Sequence, residues 1–267
     1  MPGPEVRDGG DGRLVVVATP IGNLGDLSPR AVSAMASAGY IYCEDTRRAL
    51  KLLSHAEIKG PRLVSHHKFN EAATTPEAVE RIRAGAVVVL VTDAGTPLVS
   101  DPGGRLVRAV LAEGLRVEAV PGPSAVLTAL VVSGLATQRW CFEGFLPRQG
   151  RQRADRLEAV AAEAERAVVV YESPYRAARL LEDLARVCGT ERPAALCREL
   201  TKLHEEVWRA SLGELAGRAA QSPPRGEVVV VVGPPAQRGA DVRRDPDRPG
   251  DADGPGGSDG MGHPGRP

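Results

Sequence analysis

The stretch of sequence that decides the fold is VTDAGTPLVSDPG, residues 91–103. It continues an apolar run that begins at residue 87, typical of a buried strand, and it leads into a helix-forming segment. A loop of this kind lies at the carboxyl edge of a sheet, where open α/β sheets bind their ligands. Its small residues leave backbone donors and acceptors accessible, and Asp93 adds a carboxylate. We interpret it as a ligand-binding loop; the alternative is a long turn in which Asp101 only caps the next helix.

Strands and helices alternate on both sides of this loop. Apolar, β-branched runs predict strands at residues 14–18, 87–92, 117–120, 167–171 and 228–232. Helices are predicted to begin where a capping side chain precedes proline, at Ser28-Pro29, Thr75-Pro76, Asp101-Pro102 and Ser173-Pro174. They are predicted to end near glycines suited to a left-handed cap: Gly39, Gly85, Gly114 and Gly189. A further helix is predicted at residues 124–133, and Ser211 with Glu214 forms a capping box for the last one.

The pattern predicts an α/β protein with two domains. The first, residues 13–135, has a mostly parallel sheet, and the second, residues 136–236, has a mixed sheet. The mixed sheet is expected because residues 195–200 and 206–210 flank a short turn, as in an antiparallel hairpin. A ligand cleft is expected between the domains. The polar N-terminus, 1–12, and the acidic, Gly- and Pro-rich tail, 237–267, are predicted to be disordered.

Composition narrows the class of protein. No apolar run reaches the roughly 20 residues that cross a bilayer, and the N-terminus has no apolar signal region, so we expect a cytoplasmic protein without membrane contact. The 4 cysteines are widely spaced, so buried thiols are expected rather than a metal site or disulfides. The formal net charge is +0, but both ends are acidic. The body is therefore basic, which permits a nucleic-acid partner without predicting one.

A second small-residue corner supports a pocket at the same sheet edge. Residues 121–125, PGPSA, follow the predicted strand at 117–120 and are expected to lie beside the loop at 91–103. The loop after the first strand, residues 19–26, also contains glycines, but their spacing is not that of a dinucleotide fingerprint, and the chain has no P-loop. A plain tight turn explains that loop equally well.

Two charged segments are open to two interpretations. Arg148, Arg151 and Arg153 form a basic patch that either starts a solvated helix or contacts phosphates. Lys202 and Glu205 lie at the predicted hairpin tip, where charges are usually only solvated.

Six motifs occur in an order that resembles a known family. They are residues 18–24, 44–47, 93–103, 121–125, 142–148 and 199–206. Together they resemble the 16S ribosomal RNA cytidine 2′-O-methyltransferases of the tetrapyrrole methylase superfamily, over residues 14–233. The resemblance implies a two-domain tetrapyrrole-methylase-like fold, usually a homodimer. It also implies transfer of a methyl group from S-adenosylmethionine to the decoding-site cytidine 1402 of the small ribosomal subunit.

The resemblance also assigns roles to residues. It implies a cofactor site formed by Pro20, Asp93, Gly95, Thr96, Pro97, Val99, Ser124 and Ala125. A ribose hydroxyl needs a general base, for which Lys202 is the first candidate if its pKa is lowered, and Glu205 is the second. RNA contacts are expected from Arg148, Arg151 and Arg153. Since aromatic residues make up only 3% of the chain, phosphate and shape recognition are expected to outweigh base stacking.

Some positions depart from the family pattern, and other functions remain open. Arg48, Phe69 and Tyr175 stand where the family leads us to expect histidines, whereas His67, Asn70 and Glu71 keep part of the pattern. The alternatives are a methylase of a small tetrapyrrole or of a protein residue on the same fold, and a non-catalytic nucleotide-sensing module.

Overall fold

The first half of the chain forms a sheet of five parallel strands. The structure is a computed structural model that describes residues 12–136 and 138–235. The strands are β1 (Arg13–Val17), β2 (Tyr40–Cys43), β3 (Arg62–Ser65), β4 (Val87–Leu90) and β5 (Arg116–Val120). Their order is β3-β2-β4-β1-β5, and every neighbouring pair is parallel.

Helices cover both faces of this first sheet, because its strands carry apolar side chains on both sides. They are α1 (Pro29–Ala36), α2 (Thr46–His55), α3 (Glu71–Arg83) and α4 (Gly104–Ala112). Met35 of α1 and Leu53 of α2 share one core with Val15 of β1. On the other face, Ile82 of α3 and Leu106 of α4 pack with Leu14. Because the five strands are parallel, their carboxyl ends lie at one common edge of the sheet, where the loops that lead to the helices begin.

The second half forms a mixed sheet. Its strands are β6 (Trp140–Phe145), β7 (Ala167–Glu172), β8 (Pro193–Arg198), β9 (Glu206–Ser211) and β10 (Val228–Val232), in the order β6-β7-β10-β8-β9. Only β6 and β7 are parallel; β7, β10, β8 and β9 pair antiparallel. The predicted hairpin is β8–β9, so the α/β class with one parallel and one mixed sheet is confirmed.

The second sheet is also covered on both faces. Helices α6 (Arg151–Ala162), α7 (Pro174–Cys188) and α8 (Leu212–Gln221) pack on one face. Helix α5 (Ala125–Ser133) packs on the other, together with Ile21 from the loop after β1. α5 thus lies before the predicted domain boundary at residue 136 but contacts the sheet after it. The boundary itself stays a prediction, and the termini predicted to be disordered lie outside the described residues except for Gly12.

Most of the predicted helix boundaries are confirmed. Ser28 and Ser173 are the N-terminal caps of α1 and α7, and Ser124 accepts the Leu127 N–H at the start of α5. Both halves of the capping box between Ser211 and Glu214 are present at α8. The positive φ angles of Gly85, Gly114 and Gly189 fit the predicted helix ends.

Two predicted helix starts and one predicted end are wrong. Pro76 lies inside α3, which begins at Glu71; a proline this near the start removes one helical hydrogen bond, and the buried residues that follow offset that loss. Helix α4 begins after Gly103 instead of Asp101, because the Glu71 carboxylate accepts the Gly103 N–H at 2.7 Å. Helix α1 ends at Ala36. Its C-terminal cap is Ser37, which has a right-handed conformation, so Gly39 is not the cap.

The described residues add two simple observations on the thiols and on membranes. Cys43 and Cys197 are buried, and burial raises the pKa of each thiol to about 12. Within 12–136 and 138–235, no helix combines the length and the apolar character needed to cross a membrane.

The structure contradicts the RNA contact predicted for Arg153. Its side chain is buried between α6 and α7, where Nε and Nη2 donate to Asp183 Oδ2 at 3.0 and 2.9 Å. Nη1 donates to the Pro147 carbonyl oxygen at 3.0 Å. The guanidinium therefore joins two helices and the chain before α6, and it is not accessible to phosphates.

The first prediction concerns this buried ion pair. Arg153→Met should lower the free energy of unfolding by about 3 kcal/mol or more, since removing one partner of a buried ion pair costs roughly 3–5 kcal/mol. Arg151→Met is the matched control on the same helix, because the Arg151 side chain is 94% exposed; we expect it to change stability by less than about 0.5 kcal/mol. Urea unfolding followed by circular dichroism measures both, and equal stability of the two variants would contradict the structural role of Arg153.

Candidate active site

Hydrogen bonds join three loops at the carboxyl edge of the first sheet. Thr19 donates its N–H to Gly95 O at 2.8 Å, and Gly95 donates its N–H to Thr19 O at 3.0 Å. The Thr96 hydroxyl donates to Pro123 O at 3.1 Å, which connects the loop after β4 to the loop after β5. The two small-residue corners are therefore adjacent, and the loop after β1 belongs to the same assembly.

The loop after β4 has an unusual backbone. Gly95 has a φ of 84°, a value that a glycine adopts without strain. Leu98 and Ser100 have φ values of 73° and 68°, which are uncommon for residues with a Cβ atom. Such conformations persist only where the surrounding structure holds them, and they concentrate at functional sites.

A cavity of about 380 Å³ lies between these loops and the second sheet. Its first wall comes from the parallel half and includes six of the eight predicted cofactor residues, namely Asp93, Gly95, Thr96, Val99, Ser124 and Ala125. Pro20 instead lines a neighbouring cavity of about 210 Å³, and Pro97 is buried within the loop. Asp93 and Arg48 line both cavities, and the Arg48 Nε atom lies 3.5 Å from Asp93 Oδ2.

The second wall of the cavity consists of residues that were not predicted to be site residues, although Phe145 belongs to the motif at 142–148. They lie at the end of β6, the end of β7 and the start of β10: Phe145, Tyr171, Glu172, Glu227, Val228 and Val229. Strands β7 and β10 were predicted, but their antiparallel pairing brings the end of one beside the start of the other. Strand pairing leaves no local sequence pattern, so the sequence alone could not predict that these residues lie together.

Glu172 is a buried carboxylate in this wall, with 3% of its surface exposed. Its Oε1 atom accepts from the Ser173 N–H and from Arg176 Nε, both at 2.8 Å. Its Oε2 atom is buried and has no hydrogen-bond partner among the residues that the structure describes. A buried carboxylate oxygen without a donor is costly, so this atom suits a ligand that brings one.

Two further carboxylates of the loop after β4, Asp93 and Asp101, line the same cavity. Asp93 Oδ1 accepts the Asp45 N–H at 3.1 Å. Asp101 lines the cavity, and burial, together with the charges of Glu44 and Asp93, raises the pKa of its carboxyl to about 6. From the sequence, Asp101 was predicted only as a possible helix cap, although it belongs to the predicted ligand-binding loop at residues 91–103.

The structure does not meet the condition under which Lys202 was predicted to be a base. Its Nζ donates to Glu199 Oε1 and to Glu227 Oε2, each at 2.9 Å. Burial lowers the pKa of Lys202, but the hydrogen bonds to these two carboxylates outweigh burial, and the net pKa is raised. Lys202 does not line the larger cavity and reaches it only through Glu227.

Glu205, the second predicted base, is exposed and belongs to the turn of the β8–β9 hairpin. Its Oε2 atom accepts the Thr201 N–H at 2.5 Å. This contact stabilises a turn in which Thr201 has a positive φ of 66°. Glu205 therefore has a local structural role, and it does not line the larger cavity.

Two of the predicted RNA-binding arginines are exposed. Arg148 and Arg151 follow β6, whose last residue, Phe145, lines the cavity. Two of the departures from the family pattern are also exposed: Phe69 at 84% and Tyr175 at 96%. Tyr175 directly follows Pro174, a residue that lines the cavity.

Comparisons with known proteins agree with this architecture. A family model described as Tetrapyrrole (Corrin/Porphyrin) Methylases matches residues 13–216. A curated relative from Mycobacterium tuberculosis, named ribosomal RNA small subunit methyltransferase I, is 50% identical over 83% of this chain and 77% of its own. A relative of the same name from Synechocystis is 43% identical over 83% and 78%, respectively.

A solved structure shares the fold. Uroporphyrin-III C-methyltransferase from Thermus thermophilus, complexed with S-adenyl homocysteine, superposes with a TM-score of 0.58 at 21% identity, covering 83% of this chain and 96% of that one. The predicted fold and the resemblance stated from the sequence are both confirmed. The chain belongs to the tetrapyrrole methylases and, within them, to the family of ribosomal RNA small subunit methyltransferases I.

Proposed function

We propose that the protein transfers a methyl group from S-adenosylmethionine to the ribose 2′-hydroxyl of the decoding-site cytidine 1402 in 16S rRNA of the small ribosomal subunit. One observation carries the proposal: a chain with up to 50% identity to curated rRNA methyltransferases has a cavity lined by its predicted cofactor loops. We propose a cytoplasmic site of action, because ribosomal subunits are found there.

The residues of the cavity fit S-adenosylmethionine. This cofactor has a positive sulfonium and a positive ammonium group, and the cavity is lined by the carboxylates of Asp93, Asp101, Glu172 and Glu227. The Glu172 Oε2 atom, which has no donor among the described residues, would accept a hydrogen bond from a cofactor hydroxyl or amine. Apolar side chains at Val99, Val228 and Val229 would contact the adenine ring. When bound, the cofactor supplies an electrophilic methyl group.

The chain itself has to position the ribose and accept its proton. We assign the acceptor role to Asp101 in place of Lys202, since a carboxylate with a pKa near 6 is mostly ionised at neutral pH and still binds a proton readily. Lys202 keeps a proposed positioning role, because its ion pair holds Glu227 at the wall of the cavity. Glu205 keeps a proposed supporting role in the same turn.

A homodimer is part of the proposal. Helix α5 is apolar almost all round, and a helix of this kind is usually covered on more than one side. Its Val126, Ala129 and Leu130 side chains pack on the second sheet. Leu127 and Val131, one turn apart on the opposite side, are 51% and 75% exposed. This apolar strip would suit a second copy of the chain.

The direct test uses unmethylated small ribosomal subunits, the purified protein and labelled S-adenosylmethionine. We expect calorimetry to detect cofactor uptake and mass spectrometry of the digested RNA to detect 2′-O-methylcytidine. A methyl group on a base would indicate different chemistry. If the protein methylates a tetrapyrrole or a protein residue and leaves the subunits unmodified, the proposal is excluded. It is also excluded if the protein binds the cofactor but methylates none of these substrates.

The proposed proton acceptor predicts a pH profile. Only the ionised Asp101 accepts a proton, so kcat/KM should be high above its pKa and fall as the pH drops through about 6. Asp101→Asn should lower kcat about 10²- to 10⁴-fold and remove this acidic limb, while calorimetry still detects the cofactor. If Asp101→Asn keeps the wild-type rate and Lys202→Ala loses it, Lys202 is the acceptor and our assignment is wrong.

The exposed arginines predict a salt dependence. Replacing Arg148 and Arg151 with alanine should weaken subunit binding and reduce the slope of log K against log salt concentration by about 1 for each phosphate that the variant no longer binds. Arg116→Ala is a suitable control, because Arg116 lies at the amino end of β5, away from the cavity mouth. An unchanged slope in the double variant would contradict the assignment.

A further inference from the structure

The loop between β3 and α3 presents an aromatic ring to solvent. Phe69 is 84% exposed, although a phenylalanine side chain normally contributes to a core or an interface. The loop follows β3 and therefore lies at the same carboxyl edge of the parallel sheet as the cavity loops. The ring is thus a solvent-exposed apolar surface beside the candidate active site.

Hydrogen bonds fix the backbone of this loop. Asn70 Oδ1 accepts the His67 N–H at 2.7 Å, and Asn70 Nδ2 donates to Ser65 O at 3.0 Å. The Phe69 N–H donates to His67 Nδ1 at 3.3 Å. Polar contacts therefore fix the loop backbone that carries the Phe69 ring.

The surroundings of the ring combine aromatic and positive groups. Lys68 Nζ lies 4.8 Å from the centroid of the Phe69 ring, and the His67 ring meets it edge-on at 6.0 Å. An open cavity of about 450 Å³ is lined by these three residues together with Glu44, Asp45, Thr46, Arg47 and Ser65. The Arg47 side chain is 87% exposed. An aromatic face next to cationic side chains is typical of surfaces that bind single-stranded nucleic acid.

Short contacts connect this open cavity to the active site. The Asp45 backbone, in the open cavity, donates to Asp93, which lines the cofactor cavity. The Glu44 carboxylate is near enough to Asp93 and Asp101 for their charges to interact. A nucleoside with its base in the open cavity would therefore lie next to the loop that carries Asp93 and Asp101.

We propose that Phe69 stacks on the unpaired base of the nucleotide that is methylated, and that Lys68 contacts an adjacent phosphate. The inference rests on the proposed function and identifies how the target nucleotide is held. RNA-binding proteins recognise single-stranded nucleotides by splaying out bases and stacking them on aromatic rings. A chain with 3% aromatic residues needs only one such ring in the right place, so stacking at the target nucleotide is compatible with phosphate recognition elsewhere.

The test compares Phe69→Ala with Phe69→Tyr on unmethylated small subunits. Phe69→Ala should raise KM for subunits roughly 5- to 150-fold, the range expected when one base is no longer stacked, while the Kd for S-adenosylmethionine in calorimetry stays unchanged. Phe69→Tyr keeps an aromatic face and should restore the wild-type KM. Leu111→Ala is the matched control, because it removes another exposed apolar side chain on α4. An unchanged KM in Phe69→Ala would overturn the proposal.

A binding measurement separates RNA from protein as the partner and does not depend on catalysis. Phe69→Trp places an indole in the open cavity, and a short unstructured cytidine oligonucleotide should quench its fluorescence saturably beyond the signal of Trp140 and Trp208 in the wild type. If Phe69→Ala weakens subunit binding but the oligonucleotide causes no quenching, the ring contacts a ribosomal protein and the inference is wrong. If quenching occurs but the wild type methylates no subunits, the proposed function fails while the base-binding site stands.

Discussion

The pair of backbone hydrogen bonds between Thr19 and Gly95 is the constraint on which the active site depends. It fixes the loop after β1 against the loop after β4, so that Ile21 can pack into the core of the second sheet. The same loop brings Gly22 against the hairpin turn, where a Cβ atom on this residue would lie 2.3 Å from Lys202 Cγ. The parallel sheet and the mixed sheet are therefore held at the distance that leaves a cavity between them.

The arrangement of those carboxylates explains why the cleft suits a cation. Asp93 has a backbone donor and a nearby guanidinium, whereas Glu172 leaves one oxygen without a donor in the described part of the chain. Placing several acidic groups in a partly buried cleft costs free energy, because they repel one another and are removed from water. A positively charged ligand offsets that cost, so the unfavourable free energy of the unliganded cleft is recovered on binding. The raised pKa of Asp101 is a second consequence of the same crowding.

The sequence predicted those parts of the fold that depend on local chemistry. Serine caps before proline, the Ser211–Glu214 box and the valine-rich strands each have a local cause and were found where expected. Strands β2, β3 and β6 were missed because they carry charged or aromatic residues among the apolar ones. The first wall of the cavity lies on consecutive residues after predicted strands and was therefore accessible from sequence. The second wall depends on which strands pair, and the burial of Arg153 depends on Asp183, 30 positions away; neither leaves a local pattern.

Two departures from the family pattern acquire a physical explanation from their positions. An arginine side chain is permanently charged. The Arg48 guanidinium lies next to Asp93 and lines both the cofactor cavity of about 380 Å³ and the neighbouring cavity of about 210 Å³. Because Asp93 lines the same two cavities, the partition between them is an ion pair, and a histidine there would gain and lose its charge near neutral pH where arginine does not. Phe69 replaces one planar ring with another that has no proton to exchange. Its face is presented by hydrogen bonds of His67 and Asn70, which belong to the part of the pattern that this chain retains. In this chain the contacts of His67 and Asn70 fix the loop backbone, and the exposed ring at its tip has no proton to exchange, so the loop presents a flat apolar surface there and not an acid or a base.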